Sequence, residues 1–141
     1  MAQIIFYKGK GDIVDKGIRL KTGGIFSHCE ILLSDGFMYS SSGMDGGVRR
    51  KKHHYNPLSW EYVEVDLDEN QVREFYELTK NSKYDYPGII GFFLPFKDRT
   101  DRWFCSEWCS NVYKIQGFKE MWKLEPSKIH PNKFHQILKG K

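Results

Sequence analysis

Cysteine and histidine are the residues here best suited to covalent chemistry near neutral pH, and their placement along the 141-residue chain is uneven. Cys105 follows the polar run Lys97-Asp98-Arg99-Thr100-Asp101-Arg102 and opens a stretch in which Cys105, Trp108, Cys109 and Val112 recur at i, i+3, i+4 and i+7. A thiol in the first turn of a helix feels the positive end of the helix dipole. That favours thiolate and lowers the pKa from its free value of ~8.5. Unpaired N–H groups of the same turn can hold a developing oxyanion. Of the histidines, His53, His54, His130 and His135 lie in polar, loop-like stretches, whereas His28 opens the extended run Ser27 to Leu33. A strand holds an imidazole rigidly, as a general base requires. The chemistry in view is thiolate attack on a carbonyl, with His28 taking the proton of Cys105. On residue type alone the plainer roles stay open: a structural cysteine in a helix stripe and a satisfied polar histidine on a strand.

The elements that would position these groups follow from the patterning. Ile4 to Tyr7 is a short apolar run ended by Lys8-Gly9-Lys10-Gly11, and Gly11 to Val14 resumes an extended segment. Ser34-Asp35-Gly36 turns the Ser27–Leu33 strand into a returning strand from Phe37 to Ser41, since Asp-Gly between apolar runs is a hairpin signal. Val63, Val65 and Leu67 alternate with polar residues and predict a strand over Tyr62–Leu67. Asp68 with Gln71 resembles a capping box, and Val72, Phe75, Tyr76 and Thr79 line one face of a helix reaching about Ser82. A second helix fits Cys105 to Ile115, closed by Gly117 as a left-handed cap. The expected class is α+β, one antiparallel sheet packed against helices, in a single domain over residues 1–141.

Composition bounds the rest. With 40% hydrophobic and 16% aromatic residues, disorder is excluded and aromatic rings must supply much of the core. The net charge of +4 is concentrated in Arg49-Arg50-Lys51-Lys52, read as a solvated loop able to make weak contact with an anionic surface. No nucleic-acid-binding module accompanies that charge. Three cysteines, Cys29, Cys105 and Cys109, do not form a secreted disulfide framework. The N-terminus lacks the pattern of a signal peptide, so the expected setting is cytoplasmic. The apolar run Gly88 to Phe96 is too short to span a bilayer and reads as core or as the wall of an acyl pocket.

Ser27-His28-Cys29-Glu30-Ile31-Leu32-Leu33-Ser34-Asp35-Gly36, followed far downstream by Phe104-Cys105-Ser106-Glu107-Trp108, resembles the circularly permuted papain-like enzymes. These include the YiiX-like bacterial peptidases and the lecithin:retinol acyltransferase-like family, relatives of the NlpC-type cell-wall peptidases. In this group the histidine strand precedes the cysteine helix, the order found here. Gly11 to Val14, Gly46 to Arg49, Tyr84-Asp85-Tyr86 with Gly88, and Ser127 to Phe134 are similar to further stretches of these families, so the likeness covers roughly residues 11–134.

The resemblance implies a permuted papain-like (NlpC-type) fold, with Cys105 as nucleophile and His28 as base. A third polar residue on the returning strand, counted to Ser40, would orient the ring. Relatives usually carry His or Glu there, and Glu30, sharing a strand face with His28, is the reserve. Tyr84 and Tyr86 are the candidate oxyanion or substrate contacts. The implied reaction is acyl transfer from an amide or ester, on a peptide, cell-wall or lipid-type acyl substrate, with no cofactor. A bacterial or phage source fits such a chain. Two other readings compete: a binding module on the same fold that has lost catalysis, with Trp60, Trp103, Trp108 and Trp122 lining a groove, and a zinc-stabilised domain using Cys105, Cys109, His130 and His135.

Overall fold

In the computed structural model, residues 2–9, 24–43, 45–84 and 102–140 are described. The fold is α+β. Five strands form an antiparallel sheet: β1 (Gln3–Tyr7), β2 (His28–Leu32), β3 (Phe37–Ser42), β4 (Gly47–Lys52) and β5 (Trp60–Glu64). Two two-residue strands, β6 (Lys83–Tyr84) and β7 (Arg102–Trp103), extend its far side, giving the order β5-β1-β2-β3-β4-β6-β7. Among the described residues the α-helices are α1 (Glu69–Thr79), between β5 and β6, then α2 (Cys105–Ile115) and α3 (Pro131–Lys139) after β7.

The apolar run of β1 pairs on both sides, with β2 (Ile4↔Ile31, Phe6↔Cys29) and with β5 (Ile4↔Val63, Ile5↔Tyr62), which is why it is buried along its centre. Asp35 and Gly36 make the β2–β3 turn: Gly36 takes φ +84°, and the Asp35 carboxylate accepts the N–H of Phe37 at 2.9 Å. Asp68 caps α1, its side chain accepting from the N–H groups of Asn70 and Gln71. Gly117, at φ +88°, closes α2, and its N–H reaches the carbonyl of Lys114 at 3.0 Å. The stripe Cys105, Trp108, Cys109 and Val112 is wholly buried, joining Ile4, Phe6, Cys29 and Ile31 from the sheet and Phe134 from α3 in one core. No helix among the described residues is long and apolar enough to cross a membrane.

Several expectations need correction. The strand expected over Tyr62–Leu67 is Trp60–Glu64; β1 begins at Gln3, so pairing stops after the Val65 N–H bond to the Ala2 carbonyl, and the chain turns through Leu67. The helix expected to reach Ser82 ends at Thr79, where the Ser82 N–H turns back to the Thr79 carbonyl. The basic run is strand rather than loop, paired residue for residue with β3 from Phe37↔Lys52 to Ser42↔Gly47. The tail Ser127–Phe134 enters α3, which Pro131 opens. Gly11–Val14 and Gly88–Phe96 lie outside the described residues.

Candidate active site

His28 is the first residue of β2 and ends a cross-strand row, paired to Tyr7 of β1, which is itself paired to Trp60 of β5. The His28 ring meets Trp60 edge to face with centroids 6.3 Å apart, and Trp60 packs on Tyr7 at 5.1 Å. Just upstream, the Asn132 side chain of α3 mimics a strand partner. Its Oδ1 accepts the Phe26 N–H at 3.0 Å and its Nδ2 donates to the Phe26 carbonyl at 2.8 Å. The entry to β2 is therefore clamped on both backbone polar groups.

Cys105 is the first helical residue of α2. Extended Phe104 precedes it (φ −101°, ψ 168°), the Glu107 carboxylate accepts the Phe104 N–H at 3.3 Å, and the Trp108 N–H closes the first turn on the Phe104 carbonyl at 3.0 Å. The helix packs over β2 and β3, and the Cys105 thiol and the His28 ring lie close enough that each acts on the other's titration. Cys105 is fully buried and the His28 side chain is 16% exposed, and loss of hydration opposes charge on each. The hydrogen bond from Cys29 and the adjacent imidazole prevail, holding the Cys105 thiol well below its ordinary range. On His28, burial is outweighed by Cys105 and by the Glu30 carboxylate, which together raise the imidazole well above its ordinary value. The arrangement favours a thiolate beside an imidazolium. Cys29, by contrast, is pushed well up by burial and by hydrogen bonds to Cys105 and Cys109.

The ring's partner is Glu30, not Ser40. His28 Nε2 bonds Glu30 Oε2, which leaves Nδ1 as the ring nitrogen available to the sulfur. Ser40 is buried elsewhere: its hydroxyl donates to the Ser41 carbonyl at 3.5 Å and receives the Cys109 thiol at 3.7 Å. The β2–β3 register, Leu32↔Met38 and Ile31↔Tyr39, runs on to set Ser40 level with Glu30 rather than with His28.

Arg49, which the sequence reading placed among solvated cations, turns inward. Its Nη1 donates to Glu30 Oε1 at 2.7 Å and its Nη2 to Oε2 at 2.6 Å, while Nε donates to Asp45 at 2.7 Å. Arg50, Lys51 and Lys52 remain exposed, with the Arg50 guanidinium 4.3 Å above the Phe37 ring. The period of two along β4 is the signal that separates Arg49 from Arg50. Seeing it requires reading the run as a strand.

The remaining candidates are dispersed. Cys105, Cys109, His130 and His135 do not form a metal cluster; among the described residues no group of three or more such ligands exists. Cys109 instead points to the Cys29 carbonyl, His130 caps α3 by accepting the Lys133 N–H, and His135 pairs with Glu61. Trp108 is core, Trp122 is exposed and Trp60 flanks His28, so these tryptophans do not line one groove. The Tyr84 side chain and all of Tyr86 lie outside the described residues. The Ser27 and Ser106 hydroxyls, each next in sequence to His28 or Cys105, are buried and find no hydrogen-bond partner among the described residues. Comparison of the chain with protein-family models and with curated proteins gives no match.

Proposed function

We propose that this protein is a thiol hydrolase or acyltransferase of the permuted papain-like kind, acting on an amide or ester through Cys105, His28 and Glu30. The observation that carries the reading is the juxtaposition of a buried Cys105 thiol, the half-buried His28 ring beside it and the buried Glu30 carboxylate bonded to that ring. A histidine strand that precedes a cysteine helix in sequence yet lies under its first turn fits the same reading. Loss of a charged third residue was the reason to think of a lapsed enzyme, and Glu30 fills that place.

The chemistry runs in two halves. The Cys105 thiolate attacks the carbonyl carbon, forming a C–S bond, and the carbonyl π pair moves to oxygen. N–H groups of the first α2 turn stabilise that oxyanion, each donor worth about 3 kcal/mol of barrier. The intermediate collapses, the bond to the leaving nitrogen or oxygen breaks, and the His28 imidazolium gives its proton to the departing group. A thioester remains. Water then attacks it while neutral His28 takes the water's proton, and collapse expels the Cys105 thiolate as the acid product leaves. An amine or alcohol in place of water makes the same cycle an acyl transfer. Glu30 holds the ring and offsets its positive charge in both halves.

Iodoacetamide labelling followed by peptide mass mapping tests this. Cys29, Cys105 and Cys109 are all fully buried, so unequal rates report thiolate character. Cys105 is expected to alkylate at least tenfold faster than either neighbour at pH 6.5, and His28→Ala to remove that advantage. Equal rates for the three thiols in the folded wild type would sink the proposal. Fluorogenic amide and ester substrates then distinguish the bond cleaved.

A further inference from the structure

The Glu30 side chain has no solvent exposure at all, and a carboxylate in that position needs its oxygens fixed. Arg49 supplies this across an intervening strand. It stands on β4, with β3 between it and the strand of Glu30, and its planar fork meets both carboxylate oxygens at 2.7 and 2.6 Å. Oε2 is shared between Nη2 of Arg49 and Nε2 of His28. The guanidinium therefore sets the plane in which the carboxylate meets the ring. Asp45 in turn holds Nε of Arg49 at 2.7 Å, and the Arg49 side chain is only 17% exposed. The result is a row of alternating charge: Cys105, His28, Glu30, Arg49, Asp45.

From this row we infer that Arg49 is a positioning residue for the thiol chemistry, acting through Glu30 to keep the His28 imidazolium paired and the Cys105 thiolate formed. The inference rests on the proposed function and adds to it a residue two strands from the one that carries His28 and Glu30. The charged or titratable groups acting on Glu30 and His28 among the described residues are Cys105 from α2, Arg49 from β4, and His53 beyond the end of β4, whose own titration feels Glu30. Among the described residues only Arg49 binds both oxygens of Glu30. Lysine could replace its charge but not its fork.

With Arg49 gone, Glu30 is free to turn from the ring or take up a proton. The imidazolium then loses its counter-ion, and Cys105 titrates nearer an ordinary thiol. The experiment is the pH profile of Cys105 alkylation by iodoacetamide in wild type, Arg49→Met, Arg49→Lys and Asp45→Asn, each checked for folding by circular dichroism. Arg49→Met is expected to react at least tenfold more slowly than wild type at pH 6, with the rates converging by pH 9. Arg49→Lys should fall between them, and Asp45→Asn should shift slightly the same way. A merely structural role would lower the melting temperature without moving the pH at which the rate rises. If Arg49→Met fails to fold, Arg49→Lys decides: a wild-type profile in any folded Arg49 variant overturns the inference. A wild type whose Cys105 shows no low-pH reactivity overturns the proposed function instead, and this inference with it.

Discussion

Glu30 is a fully buried carboxylate between two cations, and its titration should be visible in the stability of the whole chain. Burial would push its carboxyl up; the His28 ring and the Arg49 guanidinium overcome that and bring it from an ordinary 4.5 to about 2. The folded value lies below the unfolded one, so this stabilisation is complete above the unfolded value and is lost as pH falls from there toward 2. The loss amounts to about 3 kcal/mol. Thermal melts between pH 6 and pH 2.5 should show the melting temperature falling through that window. Glu30→Gln should flatten the fall, yet start from a lower melting temperature at pH 7. It leaves the Arg49 fork facing an amide, a loss of about 3–5 kcal/mol for a broken buried pair. An unchanged acid slope in Glu30→Gln would assign the titration elsewhere. That Cys105 opens a helix and His28 a strand was legible because helix-start and strand patterns are local. Ser40 was misplaced because its position depends on a cross-strand register that the turn alone does not reveal.

Elements were readable in proportion to how local their causes are. The bounds of α2 follow from its four-residue apolar stripe and from Gly117 beyond its end, and both lie within the segment itself. β4 was hidden because Arg49-Arg50-Lys51-Lys52 reads as solvated charge; what turns Arg49 inward is Glu30, nineteen positions earlier in the chain. α3 was hidden for a similar reason. Its cap is a histidine and its clamp on β2 is the Asn132 amide, and neither is a strong start signal in sequence. How α1 is held to α2 is equally non-local: the Trp108 indole N–H donates to Thr79 Oγ1 at 2.8 Å, and that hydroxyl donates on to the Phe75 carbonyl at 2.8 Å. Thr79→Val keeps the shape and strands a buried indole N–H. The expected loss is about 1–3 kcal/mol in urea unfolding. Thr79→Ser, which restores the hydroxyl, should recover most of it. If Thr79→Val matches wild type, the indole bond does not hold the helices.

At the scale of the molecule, the question is what keeps β4 close enough for Arg49 to reach two strands across. One side is the β3 ladder. The other is a close backbone crossing, where the Val48 N–H bonds the Ser82 carbonyl at 3.0 Å and Gly47 pairs with Lys83. A Cβ at Gly47 would stand 2.2 Å from the Ser82 carbonyl oxygen, so only glycine admits the contact. Gly47→Ala must push β4 and the 82–83 segment apart, at about 1–3 kcal/mol for overpacking against backbone. Arg49 is two residues further along the same strand, so the strain should also reach the thiol: Cys105 alkylation at pH 6 should slow several-fold. Gly36→Ala is the matched control. Like Gly47, at φ +152°, Gly36 has positive φ, +84°, but a Cβ there meets nothing within 4 Å. Its loss should be about 1–2 kcal/mol of backbone strain, with no change in Cys105 reactivity. Urea unfolding and alkylation rates on both variants separate general destabilisation from displacement of β4. If the two substitutions slow alkylation equally, the crossing at Gly47 does not set the reach of Arg49. If only Gly47→Ala slows it, the far edge of the sheet and the nucleophile are mechanically one unit.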